Sequence, residues 1–95
     1  MSLRDDLIAT KALIDTPDKW AKNPTQFSKR KPGMCIVEAV RNATSSTTDH
    51  IDCHAQLTKA LRRTGYSSLT MFNDARTVTH ADIMALFDRA IKAAE

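Results

Sequence analysis

From Val78 to Lys92 the chain spells out an amphipathic helix with its own start signal. Ile83, Leu86, Phe87, Ala90 and Ile91 fall three and four residues apart, the spacing that lines one helical face. Thr79 stands where an N-cap is needed, and Asp82 at the third helical position approximates a capping box with Asp in place of Glu. Val78 before the cap and Ile83 after it suit a hydrophobic staple. Arg89 and Lys92 lie near the C-terminal end, where the helix dipole favours cations. A helix with one greasy face must cover it, so the rest of the chain has to supply the cover.

The remaining segments point to helices as well. Two glycines and three prolines among 95 residues leave long uninterrupted stretches, which suits helices better than a turn-rich β architecture. A first helix is predicted from about Leu3 to Ile14, capped by Ser2, with Asp5 and Asp6 in the first turn where the dipole favours acids. Leu3, Leu7 and Ile14 share its apolar face, and Ile8 and Leu13 widen it. Thr16-Pro17 ends it, because the residue before a proline is pushed out of helical geometry. A second helix follows Pro32-Gly33, from about Met34 to Ala43, with Ile36, Val37, Val40 and Ala43 as its stripe. After a Ser/Thr run, Thr48 or Asp49 caps a third helix from His50 to Thr64. Cys53, Leu57, Ala60 and Leu61 form its stripe, and Gly65 closes it. Residues 67–73 read as a helical turn or two.

The exception is the segment from 17 to 33. Asn23-Pro24 is a turn signal, so a short β-hairpin at residues 19–28 is expected, with Trp20 and Phe27 packing onto the helices because a lone ribbon is marginal. The fold class is therefore mainly α: one domain over residues 1–95, a compact bundle of four to five helices.

Charge is distributed unevenly. Lys19, Lys22, Lys29, Arg30 and Lys31 sit in a stretch without acids, against a whole-chain net charge of +3, which leaves the remainder at −2. A local rather than a global attraction for anions follows. Cys35 and Cys53 are too few for a disulfide scaffold. The opening Met-Ser-Leu-Arg-Asp-Asp lacks the character of a signal peptide, and no apolar run approaches the roughly 18 residues of a membrane span. The expected compartment is a reducing cytosol.

His50, Cys53 and His54 fall on one side of the third helix, and with Cys35 they would supply the nitrogen and sulfur donors of a structural zinc site. Their spacing matches no standard zinc motif, and Cys53 also belongs to the apolar stripe, so the reading is a core cysteine beside solvent-facing histidines, with no cofactor. Cys53 and His54 are neighbours on a helix and point about 100° apart, which does not make a nucleophile and its base. Asp5-Asp6 and Asp82 belong to helix starts, and two glycines build no phosphate loop. The expectation is a protein that is not an enzyme.

Asn73-Asp74 suits a turn joining Phe72 in the core to the Thr79 cap. Lys19, Trp20, Lys22, Phe27, Lys29, Arg30 and Lys31 form the candidate partner surface: cations around aromatic anchors for an acidic protein. The same residues would serve phosphate contact and base stacking on nucleic acid, and Arg62-Arg63 extends the patch. The Ser/Thr run between helices two and three is unlike the tight turn of a helix-turn-helix.

Phe72-Asn73-Asp74-Ala75, then Thr79, His80-Ala81-Asp82-Ile83 and Leu86-Phe87-Asp88-Arg89-Ala90 resemble a small actinobacterial and actinobacteriophage domain family of unknown function. Its members carry a Trp-Asn-Asp motif followed by a Thr that opens a final amphipathic helix. Leu13-Ile14 with Trp20 looks like the family's opening, and Cys35 with Ala39 like its cysteine-centred second helix. This chain has Phe72 where Trp is usual, Glu38 where Gly is common, and a shorter, more basic segment before Cys35. The resemblance implies a bacterial cytosol and a phage protein acting on its host. The leading expectation is thus a small interaction protein that binds a host protein. A nucleic-acid binder and a structural zinc domain are the alternatives, and nothing in the sequence excludes pairing of two copies.

Overall fold

The computed structural model describes residues 2–22 and 33–95. Five α-helices order the chain: α1 (Leu3–Leu13), α2 (Ile36–Ala43), α3 (Thr47–Ala60), α4 (Leu69–Asp74) and α5 (His80–Ala93). Short 3-10 turns at Pro17–Lys19 and Leu61–Arg63 follow α1 and α3. Among the described residues there is no strand, and no helix is long and apolar enough to cross a membrane.

Each helix begins where a side chain can replace a missing backbone partner. Ser2, Ser46, Ser68 and Thr79 all accept a hydrogen bond from the amide three residues on. At α5 the box is complete: the Asp82 carboxylate accepts from the Thr79 amide at 2.9 Å, and Thr79 Oγ1 accepts from the Asp82 amide at 3.3 Å. The third helix starts earlier than its pattern suggests, because Ser46 rather than Thr48 or Asp49 takes the cap. It also ends earlier: after Ala60 the chain tightens into the 3-10 turn, and Gly65, at φ 85°, supplies the left-handed residue that turns it away.

The core is one cluster. Leu7 of α1 and Ile14, which caps it, meet Ile36, Ala39 and Val40 of α2, Cys53 and Leu57 of α3, and Ile83, Leu86, Phe87 and Ala90 of α5, all fully buried. The first helix is central, packing on α2, α3 and α5. Its inward face is Leu3, Leu7, Thr10 and Ile14, so Ile8, one step of about 100° round the helix from Leu7, is left 41% exposed rather than widening the core. Asp5 and Asp6 both stand in the first turn, as their spacing predicts. Asp5 stays at the surface of the first turn, whereas Asp6 is buried, and Thr10 Oγ1 beside it donates to the Asp6 carbonyl at 2.7 Å.

The second helix starts at Ile36 instead of Met34 because the preceding residues are used elsewhere. The Met34 amide donates to the Lys19 carbonyl at 2.9 Å, and the Ala21 amide donates to the Met34 carbonyl at 3.0 Å. Trp20 thus sits in an isolated parallel bridge with Met34, a contact between residues 14 positions apart. The far limb of the expected hairpin, with Phe27, lies outside the described residues. Gly33 is pressed against the same bridge: a Cβ there would stand 2.8 Å from the Ala21 Cβ and 3.0 Å from the Trp20 carbonyl carbon.

Candidate functional site

The residues picked out by sequence divide between a saturated structural junction and open surface. At the junction, Asn73 on α4 is almost wholly buried and uses every hydrogen-bonding position an amide owns. Its Oδ1 accepts from Trp20 Nε1 at 2.7 Å and from the Ile36 amide at 3.1 Å. Its Nδ2 donates to the Ala21 carbonyl at 3.0 Å and to Asp74 Oδ1 at 2.9 Å. One side chain thereby ties α4 to the start of α2 and to the Trp20 segment. The turn role read from Asn73-Asp74 is too small. Asn73 is a clamp over more than 50 residues of sequence.

Trp20 and Lys22 belong to the same junction. The Trp20 ring lies 5.9 Å from that of His80, whose Nε2 donates to the Ile14 carbonyl at 2.8 Å, a geometry that places the proton on Nε2. Lys22 Nζ donates to the Ala75 carbonyl and stands 5.6 Å from the centre of the Trp20 ring. Lys19 pairs with Asp15 at 3.2 Å on the exposed surface. Of the described candidate partner residues, Trp20 and Lys22 are therefore engaged with the protein's own junction, while Lys19 stays at the surface. Phe27, Lys29, Arg30 and Lys31 lie outside the described residues.

The four candidate metal donors are separated by their roles. Cys35 caps α2, its sulfur accepting from the Glu38 amide at 3.4 Å. Cys53 is fully buried against α1, with its sulfur 3.7 Å from Thr10 Oγ1. Burial pushes its thiol pKa up. The Thr10 hydrogen bond opposes that rise, and the nearby Asp6 charge adds to it. The His50 and His54 rings lie 6.3 Å apart on α3. His50 faces an open hollow of about 250 Å³ with Arg41 and Ser46 at the start of α3. Among the described residues no three His, Cys, Asp or Glu side chains gather as a metal would require.

A groove with unspent charge runs between α3 and α5. It has a volume of about 450 Å³, a floor of Ala60, Ala90 and Ala93, and a rim of Lys59, Arg62 and Arg89 with Gln56. Lys59, Arg62 and Arg89 are exposed, and among the described residues none of them forms an ion pair. Gln56 Nε2 donates to the Ala90 carbonyl at 3.3 Å, and Arg89 reaches the Ala60 carbonyl at 3.4 Å, so the groove's walls are cross-tied. Of its rim, sequence reading singled out only Arg62, and Arg89 only as a helix-end cation. Lys59 and Arg62 share a face at i, i+3, but their meeting with Arg89 depends on how α3 lies against α5, which no local pattern encodes.

Residues 1–93 match the model of a family described as Family of unknown function (DUF6197). No curated protein and no solved structure matches the chain.

Proposed function

The chain belongs to that family, and because the family's description assigns no activity, we propose from the protein's own surface that it works by binding, with the α3–α5 groove receiving an acidic segment of a partner protein. The observation that carries this reading is the trio Lys59, Arg62 and Arg89 around an alanine floor, with no acid among the described residues paired to them. Three cations held close together repel one another, and a carboxylate-bearing partner relieves that repulsion while steering association. The resemblance of residues 72–91 to an actinobacterial and actinobacteriophage family supports a host protein in the bacterial cytosol as the owner of the acidic segment.

Nucleic acid is the competing occupant, since phosphates also seek cations. Single-strand binders add aromatic platforms for the bases, and no aromatic side chain lines this groove. Its alanine floor offers van der Waals contact suited to a peptide instead.

The test compares a labelled glutamate-rich peptide with an oligothymidylate of equal charge by fluorescence anisotropy on the full chain. The peptide is expected to bind more tightly, and Lys59→Glu with Arg62→Glu is expected to weaken it by about tenfold or more. Preference for the oligothymidylate, or peptide binding untouched by the double reversal, overturns the proposal.

A further inference from the structure

Arg89 borders a second depression on its other side. This one is about 240 Å³, and its walls are Tyr66, Phe72 and Val78, with Ala85 on α5 and Asp82 at the far end. Tyr66 and Phe72 meet edge to face, with ring centroids 5.6 Å apart, which gives the depression a fixed aromatic wall. Phe72 and Val78 are themselves core residues, so that wall is held from behind. The two depressions are therefore neighbours, one cationic over small residues and one aromatic, with the Arg89 guanidinium between them.

Building on the acidic-partner reading above, we infer that the Tyr66–Phe72–Val78 depression takes an apolar side chain from the same acidic segment, so that the partner presents a bipartite motif. The volume sets the size of that side chain: a cavity of roughly 150 Å³ already holds benzene, so one leucine, isoleucine or phenylalanine is accommodated here. The charges set the direction. Asp82, Ala85 and Arg89 follow one another up one face of α5, so the Asp82 end repels an acid while the Arg89 end attracts it. The acidic residues of the segment accordingly lie over Lys59 and Arg62, the apolar residue over Tyr66 and Phe72, and a neutral or basic residue beyond it at Asp82. Recognition that pairs a greasy anchor in a pocket with charge at its rim gives specificity that cations alone do not.

A random peptide library panned on the full chain tests this, with the same panning on the Ala85→Phe variant. Ala85 is exposed on α5, so a phenyl group there fills the depression from the solvent side and leaves the core unchanged, which an unaltered melting curve confirms. The expected result is enrichment of Asp or Glu together with Leu, Ile or Phe at one fixed offset. In Ala85→Phe the apolar preference disappears while the acidic preference stays. A peptide carrying both elements should bind the variant about tenfold more weakly, and an all-acidic peptide equally well. Acidic enrichment without an apolar partner, or an apolar preference that survives Ala85→Phe, overturns this inference and leaves the acidic groove standing. Absence of acidic enrichment overturns the groove reading and the bipartite motif together.

Discussion

The Trp20–Asn73 junction and the α3–α5 groove are both rich in polar nitrogen, yet they dispose of it in opposite ways. In the junction every donor and acceptor of Asn73 is matched, the Trp20 N–H is matched, and Lys22 is bonded to a backbone carbonyl. In the groove, Lys59, Arg62 and Arg89 are exposed without an acid among the described residues, and of the five N–H donors of Arg89 one reaches the Ala60 carbonyl. The polar groups of the first region are consumed in joining segments distant in sequence. Those of the second remain available to something outside. A cation or aromatic picked from a sequence as a binding residue has to be tested by asking whether the fold has already used it. For Trp20 and Lys22 it has.

The comparison breaks most visibly at Asn73. Replacing it with Leu keeps the approximate volume but strands the Trp20 indole N–H, the Ile36 amide and the Ala21 carbonyl. Unpaired buried groups cost about 1–3 kcal/mol each, so a total loss of about 3 kcal/mol or more is expected in urea unfolding. A loss below about 1 kcal/mol would mean that the junction is no clamp.

Trp20→Phe is a milder cut at the same place. It removes one donor and weakens the contact with Lys22, while Asn73 Oδ1 still accepts from the Ile36 amide. About 1–2 kcal/mol of stability should go, with affinity for the glutamate-rich peptide unchanged. A fall in affinity with stability intact would return Trp20 to the partner surface.

Local signals carried most of the secondary structure. The Ser2 and Thr79 caps, the α5 stripe and the mainly helical class follow from spacing and capping chemistry that act within a few residues. What the sequence concealed depends on tertiary geometry. Any residue of the run from Thr44 to Thr48 offers a hydroxyl, and Ser46 is selected by where α3 must begin to bury Cys53 and Leu57. Asn73 reads as a turn former because its partners at positions 20, 21 and 36 are remote in sequence. Asp6 reads as a first-turn acid, which it is, but its burial comes from packing that the first turn alone does not encode. The groove is invisible for the same reason, since Lys59 and Arg89 lie on different helices.

Cys35 and Cys53 repeat the contrast on a smaller scale, one at a helix cap and the other sealed in the core. The Cys53 thiol has its pKa raised above the ordinary 9.0, so the folded protein holds that proton longer than the unfolded chain does. Its contribution to stability is complete below about pH 9 and is lost as pH rises through the folded-state value. Stability of the native protein should therefore fall more steeply with alkali than that of Cys53→Ala. Iodoacetamide at mildly alkaline pH should modify Cys35 well before Cys53. Equal rates would mean that the α1–α3 interface opens readily.

The smallest expected effect on stability is also the sharpest test of the contrast. Lys59→Glu with Arg62→Glu reverses two exposed charges that form no ion pair among the described residues, and surface changes of this kind shift stability by about 0.5 kcal/mol or less. The direction is itself informative. Like charges on one helical face at i, i+3 oppose folding slightly, and reversing both leaves two acids in the same relation, so their mutual repulsion is unchanged. Arg89 across the groove gains opposite charges instead of like ones. The net change should therefore be zero to slightly stabilising, and smaller at high salt because exposed charges are screened. If unfolding instead shows a loss of about 2 kcal/mol or more, these cations serve the fold as Asn73 does, and the division between a consumed junction and an available groove is gone.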